Sequence, residues 1–108
     1  MTNKHQYLTR LQIVIQELHK CGAVHRETIP VRETFNGKTV WEGDVEVFDL
    51  ENHPKAKRVY AWSHVAGEND EQKRYVTVLH LPPVDSPQSA VRLAIVQEYR
   101  ERERNQEN

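Results

Sequence analysis

Apolar positions fall into two rhythms along this chain. From about Lys4 to Cys21 they recur at offsets of three and four, placing Leu8, Leu11, Ile15 and Leu18 on one helical stripe with Val14 beside them. Asn3 or Thr2 is placed to cap the start, and Gly22 stands where a left-handed C-terminal residue is wanted. His19 and Lys20 sit in the last turn, where the helix dipole favours positive charge. From Glu27 the period becomes two. Ile29, Val31 and Phe35 share one face of a strand, and Trp41, Val45 and Val47 share one face of the next.

Asn36-Gly37 marks the turn between these strands. A strict two-residue loop pairs Phe35 with Lys38 and, continued, sends the two apolar sets to opposite faces. A shift of one residue pairs Val31 with Gly43 and Ile29 with Val45, and the apolar pattern favours that register. The expectation is therefore a three-residue loop, Asn36-Gly37-Lys38, with a bulge. Pro30 donates no ladder hydrogen bond, so its strand belongs at a sheet edge.

Glu51-Asn52-His53-Pro54 breaks the second strand. Arg58–His64 and Lys73–Leu81 then read as a second hairpin around Gly67-Glu68-Asn69-Asp70. Tyr60 and Trp62 share a face with Val76 and Val78; Val59, Ala61, Tyr75 and Leu79 take the other. Pro82-Pro83 ends the ladder. Ser86 caps a final helix with Pro87 at its first position and Val91, Ala94, Ile95 and Tyr99 as its packing stripe. From about residue 100 the Arg-Glu alternation reads as a frayed, solvated tail. The predicted fold is a single α+β domain over residues 1–108. It is a four-stranded antiparallel sheet in α-β-β-β-β-α order, with the N- and C-terminal helices packed on one face.

Composition agrees with a small domain. The 108 residues are 29% charged and 37% apolar, with net charge −1. Mean hydropathy is −0.81 and the pI is about 6.6. A chain of this length buries roughly 65% of its unfolded surface, enough for one core without staples. Its near-neutral charge gives no bulk attraction for nucleic acid or anionic lipid, so any such attraction is local. One cysteine, Cys21, excludes an internal disulfide. With no signal segment or apolar run of spanning length, the expected location is cytoplasmic, without membrane contact.

The segment His53-Pro54-Lys55-Ala56-Lys57-Arg58-Val59-Tyr60-Ala61-Trp62-Ser63-His64 has a chemical character of its own. Cations followed by alternating aromatics can hold a phosphate and stack a base, at roughly 1–3 kcal/mol per base. Lys55, Lys57, Arg58, Lys73 and Arg74 are then the candidate nucleic-acid contacts. The competing reading makes the cations a solvated loop and the rings core, and the alternation with Val76 and Val78 supports it. The same segment resembles small uncharacterised bacterial proteins. That resemblance covers mainly the hairpin region; it implies a bacterial cytosolic source and no mechanism.

His19, Cys21 and His25 invite a metal reading, yet residues two apart on a helix point about 200° apart. A buried cysteine and two surface histidines is the plainer account, and no metal or cofactor is expected. His64 and His80 lie opposite Arg74 and Arg58 at the two ends of their hairpin, too far apart for an acid–base dyad. Glu42, Asp44 and Glu46 read as a solvent-facing acidic stripe matched by Arg32, with Arg58 or Arg74 as further partners. The chain has no Gly-rich phosphate loop, nucleophile elbow or Cys-x-x-Cys pair, so no catalytic residues are assigned.

With both helices on one side, the opposite face exposes an apolar patch, and such patches mark interfaces. The last strand, Val76-Thr77-Val78-Leu79-His80-Leu81, is an uncharged edge of the kind proteins usually protect. Val59, Tyr75, Thr77, Leu79 and Leu81 are the expected interface. The leading expectation is a non-enzymatic interaction module, homodimeric or bound to a protein partner. A nucleic-acid accessory protein is the alternative. A small-molecule binder or enzyme, with a pocket near Trp41, Trp62, Tyr99 and His64, is the third.

Overall fold

The computed structural model describes residues 4–66 and 72–106, and the side chains of residues 4–63 and 74–100. Helix α1 spans Lys4–His19, followed by β1 Gly22–Phe35, β2 Lys38–Glu51, β3 Arg58–Ala66, β4 Gln72–Leu79 and helix α2 Pro87–Gln106. The strands form one antiparallel meander in the order β1-β2-β3-β4. Fold class and element order are thus as expected, and Pro30 lies on an edge strand. The expected caps Thr2 and Asn3, and the turn at Gly67-Glu68-Asn69-Asp70, lie outside the described residues.

The first hairpin keeps the expected body register, with Ile29 opposite Val45 and Val31 opposite Gly43. Its loop is tighter than expected. Asn36 (φ 53°) and Gly37 (φ 77°) form a two-residue turn, and Phe35 pairs with Lys38. Two left-handed residues match the twist of the flanking strands, which makes this turn the favoured closure. The ladder then shifts between Glu33, opposite Trp41, and Thr34, opposite Thr39, so Val40 is the extra residue. That bulge restores the apolar register. A second bulge falls between His25 and Glu27. It leaves Arg26 unpaired and returns Thr28 to the same face as His25.

The helices do not share a face. Leu11 and Ile15 of α1 pack with Ala23, Phe48, Val59 and Ala61. Ala90 and Val91 of α2 pack with Val31, Val45, Val47, Tyr60 and Trp62. Successive residues of a strand point to opposite faces, so α1 and α2 cover opposite sides of the sheet. The expectation of one covered and one bare face is corrected to three layers. The physical reason lies in β3, where Val59, Tyr60, Ala61 and Trp62 are all apolar and all buried. A strand apolar on both faces needs a cover on both.

Helix ends also depart from expectation. Leu18 is 61% exposed, and the left-handed residue after α1 is Lys20 (φ 56°), not Gly22. Gly22 instead starts β1, where a Cβ would come within 2.8 Å of Glu51 Oε1. Ser86 caps α2 as expected, accepting from Ser89 N–H at 3.1 Å through its hydroxyl and from Ala90 N–H at 3.0 Å through its carbonyl. The backbone stays helical to Gln106, past the expected fraying at about residue 100, and Tyr99 is 62% exposed rather than packed.

Candidate functional site

The free edge of β4 is defined by its hydrogen-bond phase. His80 N–H donates to Arg58 C=O at 2.9 Å, and Tyr60 pairs with Val78 and Trp62 with Val76. Hydrogen-bonded pairs alternate along an antiparallel ladder, so the backbone groups of Val76 and Val78 face β3. Those of Tyr75, Thr77 and Leu79 face away from the sheet. The phase on the other side agrees: Leu50 N–H donates to Lys57 C=O at 2.9 Å, which commits Val59 and Ala61 to β2.

The expected interface residues therefore act differently from the expectation. Val59 is 0% exposed beneath α1 and contributes to no surface. Tyr75 and Leu79 pack their side chains against the α1-side core, and Thr77 Oγ1 lies 3.0 Å from His19 Nε2. What these three present outward is backbone. Leu81 falls beyond the strand, its N–H turned back to Leu79 C=O at 2.9 Å.

The basic residues are divided. Lys55 and Lys57 are exposed in the β2–β3 loop beside Arg58, which pairs with Asp49 at 3.6 Å. Lys73 and Arg74 sit opposite Val65 and His64 at the other end of the hairpin; the Lys73 side chain lies outside the described residues. Arg74 lies six residue steps from His80, the partner of Arg58, roughly 20 Å at about 3.3 Å per step. Tyr60 and Trp62 are 1% and 2% exposed, so neither ring is available to stack a base. Burial pushes the Tyr60 pKa up, against the opposing pull of Arg58, and its neutral hydroxyl lies 2.6 Å from His80 Nδ1.

The α1 side holds a polar cluster that the alternation in β2 did not reveal. Glu42 and Asp44 are solvent-facing, as expected of the acidic stripe, and Arg32 pairs with Glu42 at 3.3 Å. Glu46 departs from it, being 0% exposed. Its Oε1 accepts from His25 Nε2–H at 2.9 Å and from the Thr28 hydroxyl; its Oε2 accepts from Lys4 Nζ. Burial pushes the Glu46 pKa up, but hydrogen bonds from Lys4, Thr28 and His25 outweigh it and hold the carboxyl below its usual range. The bulge at Arg26 is what delivers both His25 and Thr28 to this carboxylate. A signal was present in the sequence: Glu46 interrupts the apolar run Val45-Glu46-Val47-Phe48, whereas Glu42 and Asp44 precede it.

His25 is thus engaged with Glu46, while His19 faces Thr77 and stands 6.3 Å from the His53 ring. Burial, helped by the neighbouring His53, lowers the His19 pKa. The two histidines do not converge on Cys21, and among the described residues no group of three or more His, Cys, Asp or Glu is arranged to hold a metal ion.

On the α2 side, β2 and β3 stop pairing after Glu46 opposite Ala61. Trp41 and Trp62 meet edge to face there, ring centres 5.7 Å apart. A groove of about 260 Å³ runs between this pair and α2. Tyr99, expected near such a pocket, is not among its walls, and the His64 side chain lies outside the described residues. A broader hollow of about 430 Å³ is lined wholly by Pro30–Arg32 and Glu42–Asp44, so it is a concavity of one twisted hairpin. Among the described residues, no helix is long and apolar enough to cross a membrane. Compared with known proteins, the chain matches no family model, no curated protein and no solved structure.

Proposed function

We propose that this chain is an interaction module that self-associates by pairing β4 with the β4 of a second copy. The observation that carries this reading is the contrast between the two sheet edges. β1 is guarded by Pro30, by the bulge at Arg26 and by charged residues along its length. β4 carries no charge from Tyr75 to Leu79 and turns the backbone groups of Tyr75 and Thr77 outward.

A two-fold axis at Thr77 pairs Tyr75 with Leu79 of the other copy and Val76 with Val78. Thr77 then meets its counterpart as a hydrogen-bonded pair and Leu79 N–H faces Tyr75 C=O of the other copy, while Leu79 C=O stays with Leu81 N–H; no like charges oppose one another over those positions. Two four-stranded sheets become one of eight strands, and the interface is isologous, as closed symmetry requires. Because α1 covers the neighbouring face, the contact is backbone-led and short. It is smaller than the roughly 1,200–2,000 Å² of a standard interface, which places the association in the weak, concentration-dependent class.

Sedimentation equilibrium across protein concentration tests the reading. The wild-type chain is expected to shift from monomer to dimer. Thr77→Pro removes an outward N–H without touching the ladder to β3, and is expected to stay monomeric with an unchanged far-UV circular dichroism spectrum. A wild-type chain that remains monomeric at the highest soluble concentration, or a Thr77→Pro variant that dimerises equally well, overturns it.

A further inference from the structure

We infer that the groove between α2 and the tryptophan pair binds a small aromatic carboxylate. Its apolar walls are Trp41, Trp62, Val91, Ala94 and Ile95. Trp62 is buried as a floor, whereas Trp41 remains half-exposed and offers open indole surface. At about 260 Å³ the groove lies just below the usual span of ligand sites, roughly 300–1,000 Å³, and suits no more than one ring with a short chain.

The charge at its rim selects the other half of the ligand. Arg74 lines the groove and is exposed, and among the described residues no hydrogen bond or ion pair engages its guanidinium. Glu98, also at the rim, has an interaction of its own. A guanidinium beside an apolar slot matches a carboxylate attached to an aromatic body, through charge-assisted, bidentate hydrogen bonding. A cationic ligand stacked on the indoles would meet Arg74 as a like charge. A nucleotide would bring several phosphate charges to a single arginine.

The chain supplies its own reporter, because its two tryptophans both line the groove. Titration with 3-phenylpropionate is expected to change the intrinsic tryptophan emission saturably. The neutral isostere 3-phenylpropanamide, and Arg74→Gln with the acid, should each weaken binding by about tenfold, the scale of losing one charge-assisted contact. Ala94→Phe fills the slot and should abolish the saturable change. Repeating the titration on Thr77→Pro separates this site from self-association, since the groove is expected to bind in the monomer. No saturation in the wild-type chain, equal binding of acid and amide, or an Arg74→Gln titration that matches the wild type overturns the proposal, whether or not Ala94→Phe folds.

Discussion

The α2 side of the sheet is held by apolar contact among large rings and branched side chains, whereas the α1 side buries an ionised carboxylate at its centre. On the first side Tyr60, Trp62, Val45, Val47 and Val91 close over one another, with Trp41 at the margin. On the second, Leu11, Ile15, Phe48 and Val59 stand around a site where Glu46 accepts hydrogen bonds from three side chains. The difference lies in how strongly each side specifies geometry. Apolar burial is non-directional, so it fixes that α2 packs but only loosely how. A buried carboxylate leaves few tolerable arrangements, because each lost donor exposes it to the cost of unpaired burial.

The largest expected effect breaks the apolar side. Trp62→Ala should cost about 3–5 kcal/mol in urea unfolding, since the residue is enclosed and the cavity cannot collapse onto the sheet. A loss below about 1 kcal/mol would mean that α2 contributes little to the core.

A smaller effect sharpens the polar side by its asymmetry. Removing two donors together, His25→Ala with Thr28→Val, should cost about 3 kcal/mol, because Glu46 stays buried with fewer partners. Glu46→Met should cost about 1 kcal/mol, since Lys4 and Thr28 are exposed and His25 is only half-buried, so the freed donors reach water. Equal losses in the two variants would show that the carboxylate is not what organises this side.

The smallest effect is on pH dependence. The folded-state pKa of Glu46 is depressed, so its stabilisation is fully present above the unfolded value of about 4.3 and is lost as pH falls through the lower folded value. Glu33, held down by hydrogen bonds from Gln88 and Arg92, acts with the same sign. Glu46→Met should therefore flatten the acid limb of the stability curve without abolishing it. An acid limb identical to that of the wild type would remove Glu46 as its source.

Much of this architecture was legible in local pattern. The period-two alternation placed Ile29 against Val45, the Asn36-Gly37 pair placed the first turn, and Tyr60 and Trp62 shared a face with Val76 and Val78. The β4 edge was legible as an uncharged strand. That its contribution is backbone, with Tyr75 and Leu79 turned beneath α1, was not. The Trp41–Trp62 groove was only half legible: the ring types stood out, but where β2 parts from β3 depends on strand twist.

By itself the sequence determined the elements, their order, the body register of the first hairpin and the apolar character of both faces of β3, because each rests on neighbours within a few residues. Only the tertiary structure decided which face each helix covers, and with it whether Val59 is surface or core and whether Glu46 meets water or three donors. Those outcomes depend on the direction in which Lys20 and Cys21 lead from α1 into the sheet and on a bulge at Arg26. Neither leaves a periodic trace in the chain, since a helix stripe records that it must be buried and not against which side.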